Sequence, residues 1–229
     1  MKVKEIVYMC LDLAKAATSD DSFFTEEHII FLAGRYRSFL LKQRYYSDLK
    51  KQIPESNYQT ICLNLETVEA IEGLPCVGGY YLRSKEEVPS LLPFGITRVY
   101  ASGSYYQGDI NFVSKDRFKY VGQNKWQQNT IYATLDPSKK IYLTSSNPQF
   151  KYLKSAMLTG IFENVEEALN MSQCDGTAQE CDILDKEFPI EDSLIAPLIE
   201  LIVKELAPSV PLPEDTKNDA NDNPTPAKQ

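Results

Sequence analysis

Histidine is almost absent from this chain of 229 residues: His28 stands alone. Any Ser/His/Asp or Cys/His nucleophilic centre, and any histidine-bearing zinc site, would have to be built on that one imidazole. Its place in the first turn of a helical pattern suits a surface residue better. Cysteine offers no framework either, because Cys10, Cys62, Cys76, Cys174 and Cys181 are odd in number and irregular in spacing. That count argues against a secreted disulfide scaffold, and no CxxC pair occurs. The acidic loop CDGTAQECDILD carries Cys174 and Cys181 but lacks the alternating oxygen ligands of a calcium loop. Glycine is used sparingly and never in a GxGxxG or GxSxG pattern. GLPCVGG (73–79) opens like a phosphate loop, yet Gly79 and Tyr80 stand where Lys and Ser/Thr are required, and GSYYQG (103–108) reads as a loop tip. No apolar run approaches the ~20 residues that span a bilayer. Glu5, Asp12 and Lys15 interrupt the N-terminus as a signal peptide, which makes a cytoplasm the default site of synthesis. No catalytic centre, cofactor, metal or membrane contact is therefore expected.

Charge is unevenly spread. A formal net charge of -8, from 24 basic and 32 acidic residues, counts against general nucleic-acid binding, whose affinity comes largely from neutralised phosphates. Against that background one stretch is basic. TEEHIIFLAGRYRSFLLKQRYYSDLKK, from Thr25 to Lys51, reads as a single long helix with Thr25 as N-cap, Glu26 and Glu27 at the positive end of its dipole, and Pro54 beyond its end. At ~1.5 Å per residue it would reach ~40 Å. Ile29, Leu32, Ala33, Tyr36 and Leu40 form its apolar face. Away from that face the pattern sets Arg35, Arg37, Lys42 and Arg44, then Lys50 and Lys51, with Asp48 as the only acid among them. These basic residues, with the doublet Tyr45 and Tyr46, are the candidate contact surface. The acidic segment ENVEEAL and the acidic C-terminal tail are candidate partners for it, within one chain or between subunits.

The rest of the chain follows from periodicity. Val3, Ile6, Val7, Cys10, Leu11, Ala14 and Ala17 predict a first amphipathic helix over 3–18, joined to the second by the turn SDDS. From Asn57 to about Ser155 the period changes to two. YQTICLNLE, RVYAS, INFVS, FKYVG, TIYATL and KIYLTSS read as short strands, with GQNK and DPSKK as hairpin turns, giving an antiparallel meander of five to seven strands. ENVEEALNM predicts a short acidic helix. FPIEDSLIAPLIELIVKELA predicts a last helix, apolar on most sides, that either kinks at Pro197 or starts just before it and packs on the first two. After Ala207 five of the thirteen prolines and almost no large apolar residue predict a disordered tail. The expected fold is α+β: N- and C-terminal helices packed as a bundle, with an antiparallel β-module inserted between them. The boundaries fall at 1–56, 57–160, 161–207 and 208–229.

Four blocks carry a resemblance to a known family. VKEIVYMCLDLAKAATSDDSFFTEEHIIFLAGRYRSFLLKQRY resembles the opening of head-to-tail connector proteins of tailed bacteriophages, where a first helix of this type precedes a Thr-capped second one. RFKYVGQNKWQQNTIYATLDPSKKIYLTSSNPQ, GIFENVEEA and FPIEDSLIAPLIELIVKEL are similar to a virion structural protein of the crAss-like phages of gut Bacteroidales. The resemblance covers residues 2–206. It implies a non-enzymatic, ring-forming adaptor of the virion, matching the twelvefold symmetry of a portal and assembled in the bacterial host cytoplasm. The partners it implies are further copies of the chain, the portal protein, neighbouring tail or ring proteins, and DNA in the channel. Two readings stand beside it: a monomeric module that binds protein or glycan through exposed tyrosines, and an enzyme with a carboxylate site in the β-module.

Overall fold

The computed structural model describes residues 1–17, 24–46, 52–69, 80–94, 97–102, 109–122, 124–127, 129–171 and 183–206. Three helices build one layer. α1 spans Val3–Ala17 and buries Val3, Ile6, Val7, Cys10 and Ala14, the stripe its sequence repeats. α2 spans Glu26–Tyr45; Thr25 Oγ1 accepts the His28 N–H at 3.3 Å, which satisfies one of the unpaired donors of the first turn. Its described part ends with the Tyr46 N–H donating to the Lys42 carbonyl at 3.0 Å, and residues 47–51 of the expected helix lie outside the described residues. The helix at the C-terminal end spans Ile195–Leu206. It places Pro197 in its first turn, where the missing N–H has no intrahelical partner to lose, so no kink is needed. Leu198, Ile199, Ile202 and Leu206 pack with Val7, Ile29, Leu32 and Leu41 in a single apolar core.

Between these helices lies a closed seven-stranded barrel rather than an open meander. Its strands are β1 (Gln59–Glu69), β2 (Tyr80–Ser84), β3 (Arg98–Ala101), β4 (Asp109–Phe112), β5 (Ile131–Leu135), β6 (Ile141–Thr144) and β7 (Ser155–Gly160). They run in the order β1-β2-β6-β5-β4-β3-β7, with β7 closing onto β1. The sheet is mixed, which corrects the antiparallel expectation: β4 and β5 are parallel, with Ile110 opposite Ile131. A parallel pair needs a crossover rather than a hairpin. FKYVG, expected as a strand, is part of that crossover. It lies in the short helix α3 (Lys115–Phe118) and the turn that follows. A strand would put Phe118 and Tyr120 on one face; here Phe118 is fully buried and Tyr120 is exposed.

Ile61, Leu63, Leu82, Val99, Ile110, Ile131, Ala133, Ile141, Leu143, Ala156 and Leu158 form one buried cluster, and across the ladders they sit opposite one another, so the barrel holds packed side chains rather than a pore. Outside it, Phe118 covers Tyr81, Tyr132 and Tyr142. Strands β5 and β6 are thus buried on both faces, which is why TIYATL and KIYLTSS read as nearly continuous apolar runs. The chain leaves the barrel at Gly160, where a Cβ would lie 2.6 Å from Leu91 Cδ2. The Leu92 N–H donates to the Ile161 carbonyl (2.8 Å) and the Glu163 N–H to that of Ser90 (2.7 Å). ENVEEALNM then forms α4 (Val165–Asn170), capped by Asn164 Oδ1 accepting the Glu167 N–H at 3.3 Å. The helix at 195–206 is accordingly α5. Cys76, Cys174, Cys181, GLPCVGG up to Gly79, Tyr105, Tyr106 and the tail from 207 lie outside the described residues.

The outer face of the second helix

The six candidate residues on α2 and at its C-cap divide into three groups, and two of the residues, Arg37 and Tyr45, do not face outward. Arg37 is the main correction: it is 0% exposed. Its Nη1 donates to the Phe162 carbonyl at 2.9 Å, its Nη2 to the Asn57 carbonyl at 2.8 Å, and its Nε to the Pro189 carbonyl. Those carbonyls belong to the chain just before β1, the chain just after β7 and the approach to α5. Burial pulls the guanidinium down to about 9, so it is charged at neutral pH. Spacing alone gave no warning, because Arg37 falls one position after Tyr36 on the edge of the apolar face, where long polar side chains are common.

Arg44 and Tyr45 meet at Glu191, Tyr45 from within the core and Arg44 from the exposed surface. Glu191 is buried; its Oε2 accepts the Tyr45 hydroxyl at 2.8 Å and its backbone N–H donates to Asn57 Oδ1 at 3.0 Å. Arg44 Nη1 lies 2.8 Å from Glu191 Oε1 while also meeting Ser193 Oγ at 2.8 Å. Burial first, then the hydrogen bond to Glu191, pushes the Tyr45 phenol up to about 12. This corrects the outward placement of Tyr45, which is only 4% exposed, whereas Tyr46 beside it is 68% exposed.

The remaining residues do form a surface. At about 100° per residue, positions 31, 35, 39, 42 and 46 fall within an arc of roughly 80°. Arg35 is exposed at its centre, Phe31 (60% exposed) and Phe39 (54%) stand one turn to either side, and Lys42 and Tyr46 extend the line. Arg35 makes no ion pair among the described residues. Lys42 Nζ meets Glu163 Oε1 at 2.7 Å, so one arm of the expected pairing with the acidic segment exists within the chain. Both of its partners are about half exposed, and a pair of that kind contributes little, about 0–1 kcal/mol. Beside the stripe a groove of about 390 Å³ opens between Phe31, Gly34, Phe39 and the start of α4 at Glu163 and Glu166. The signal for Phe31 and Phe39 lies in FLAGRYRSF, where the two aromatics stand four residues either side of Arg35.

Among the described residues no helix is long and apolar enough to cross a membrane, and no group of three or more His, Cys, Asp or Glu is placed to hold a metal ion. The chain is 50% identical over 223 residues to Ring protein 2 of Bacteroides phage crAss001, covering 97% of this chain and 98% of that one. The likeness to crAss-like phage proteins therefore extends from the helices through the barrel into the C-terminal tail. With residues 5–224 matching its family model, the chain belongs to the phage tail ring protein 2 family.

Proposed function

We propose that this chain is a non-enzymatic structural component of the virion, a ring-forming connector between the portal and the tail of a tailed phage. It assembles in the bacterial host cytoplasm, makes a closed ring of copies matching the portal's twelvefold symmetry, and touches the portal, neighbouring tail or ring proteins, and DNA passing through the channel. The helical segments 1–56 and 161–207 act as the packing bundle, and the insert 57–160 reaches neighbouring rings. One observation carries the reading beyond family membership: α2, well covered on its other side, leaves Phe31, Arg35, Phe39, Lys42 and Tyr46 in a line at the surface. Large aromatics with few rotamers beside an arginine are the composition of an interface centre, and no segment described here covers them.

The buried Arg37 and the internally paired Arg44 are poor probes of assembly, because changing either acts on the fold. The test is the pair Arg35→Glu with Lys42→Glu in the full chain. Rings should be lost while the far-UV circular dichroism and melting of the monomer stay as in the parent. A density map of the portal–tail region of purified particles supplies the second arm. A closed ring of this chain there supports the reading, and its absence from the particle overturns it.

A further inference from the structure

We infer that the seam between neighbouring copies is helix on helix: the outer face of α1 of one copy seats against the Phe31–Arg35–Phe39 stripe of α2 on the next. This deepens the ring reading and rests on it. α1 exposes its own apolar residues, Tyr8, Met9 (48% exposed) and Leu13 (49%). At about 100° per residue Glu5 and Asp12 lie within about 20° of each other, between Tyr8 on one side and Met9 and Leu13 on the other. That face is therefore acidic along its middle and apolar along its flanks. The stripe on α2 is built the same way with the opposite sign, basic Arg35 and Lys42 in the middle and Phe31 and Phe39 on the flanks. Neither face can pair with itself without setting like charges together, whereas each suits the other. A surface with two different complementary patches associates head to tail, and a head-to-tail contact closes into a ring when its rotation permits. The groove beside Phe31 and Gly34 gives an incoming Met9 or Leu13 side chain a place to enter.

The experiment uses two full-length variants, each with one face blocked. Phe31→Glu with Arg35→Glu spoils α2 and leaves α1 intact; Met9→Lys with Asp12→Lys does the reverse. Size-exclusion chromatography with light scattering should show rings for the parent, monomers for each variant alone, and dimers or larger assemblies when the two are mixed, since the unaltered faces still pair and the two reversed faces carry opposite charge. A chain carrying both Arg35→Glu and Asp12→Lys should regain rings. These two single changes touch only exposed charges and keep the test available if a double variant unfolds. Rings from either blocked variant, or a mixture that stays monomeric, would overturn the α1–α2 seam while leaving the ring reading intact. If the parent forms no ring in solution, the particle map decides: α1 lying on the α2 stripe of its neighbour supports the seam, any other helix pair there overturns it, and no ring at all overturns both.

Discussion

Replacing Arg37 by alanine should lower the stability of the protein more than replacing any other basic residue of α2, since Arg35, Lys42 and Arg44 are exposed. The side chain joins α2 to three carbonyls, of Asn57, Phe162 and Pro189, and is fully buried. Leaving a buried polar group without its partner costs about 1–3 kcal/mol, and three are stranded at once. Against this, the variant no longer takes a guanidinium out of water, which recovers part of that loss. Breaking a buried charged site by removing one side costs about 3–5 kcal/mol, and that is the expected range here. For a chain of this size each kcal/mol shifts the melting temperature by about 2–4 °C, so Arg37→Ala should melt on the order of 10 °C lower. Arg37→Lys keeps the charge but has neither the flat fork nor its reach to three separated acceptors, and should fall between the two. Differential scanning calorimetry of the monomeric chain reads both. Melting of Arg37→Ala within about 2 °C of the parent, on the same scale of degrees per kcal/mol, would refute the argument that these carbonyls depend on Arg37.

Two further outcomes follow from particular sites. Gly34 lies inside α2, and an added Cβ meets nothing within 4 Å, so Gly34→Ala should raise stability by about 0.5–1 kcal/mol, seen as a higher melting temperature; a lower one contradicts the open space. Asp136, in the turn between β5 and β6, is held below the ordinary carboxylate range by Lys115 at 2.6 Å and then by the hydroxyl and N–H of Ser138. A carboxylate with a lowered folded value contributes stability above its unfolded value of 3.8, and loses that contribution as pH falls through the lowered one. Asp136→Asn should therefore melt lower than the parent at neutral pH, with the difference shrinking as the pH drops below 3.8; a pH-independent difference would show that the turn geometry, not the charge, matters.

What could be read from the sequence was what depends on local period. The stripe of α1 and the strands β1, β3, β4, β5 and β6 each repeat at their own spacing, and residue type marks the Thr25 cap; at Pro197 the sequence allows a kink or a start just before it, and the structure takes the start. The misses have a common cause. β2 hides at the end of GLPCVGGYYLRS, and β7 is SAMLTG, whose small and polar residues alternate too weakly to announce a strand, although Ala156 and Leu158 are buried. Barrel closure needs both, since β7 bridges β1 and β3 while β2 bridges β1 and β6, and these pairings are distant in sequence. Arg37 was misplaced for the same reason: its partners lie 20, 125 and 152 residues away, and nothing in RYRSF reports them.

Under the proposed ring reading, the placement of Arg37 also bears on how α2 could serve as an assembly surface. An exposed line of aromatic and basic residues serves assembly only if its angle to the rest of the subunit is fixed, because a ring closes on a small tolerance of rotation per copy. Arg37 bonds to the chain at the entry and at the exit of the barrel, Ser38 Oγ donates to the Glu163 carbonyl at 2.9 Å, and Tyr45 anchors the far end through Glu191. Directional bonds spread over more than two turns hold α2 against rolling, which apolar packing alone resists weakly. The inward basic residue orients the helix, and the outward one, Arg35, is exposed and is the one assigned to a neighbour under the proposed ring reading. Loss of Arg37 should therefore harm assembly in proportion to the loss of fold, while loss of Arg35 should harm assembly alone.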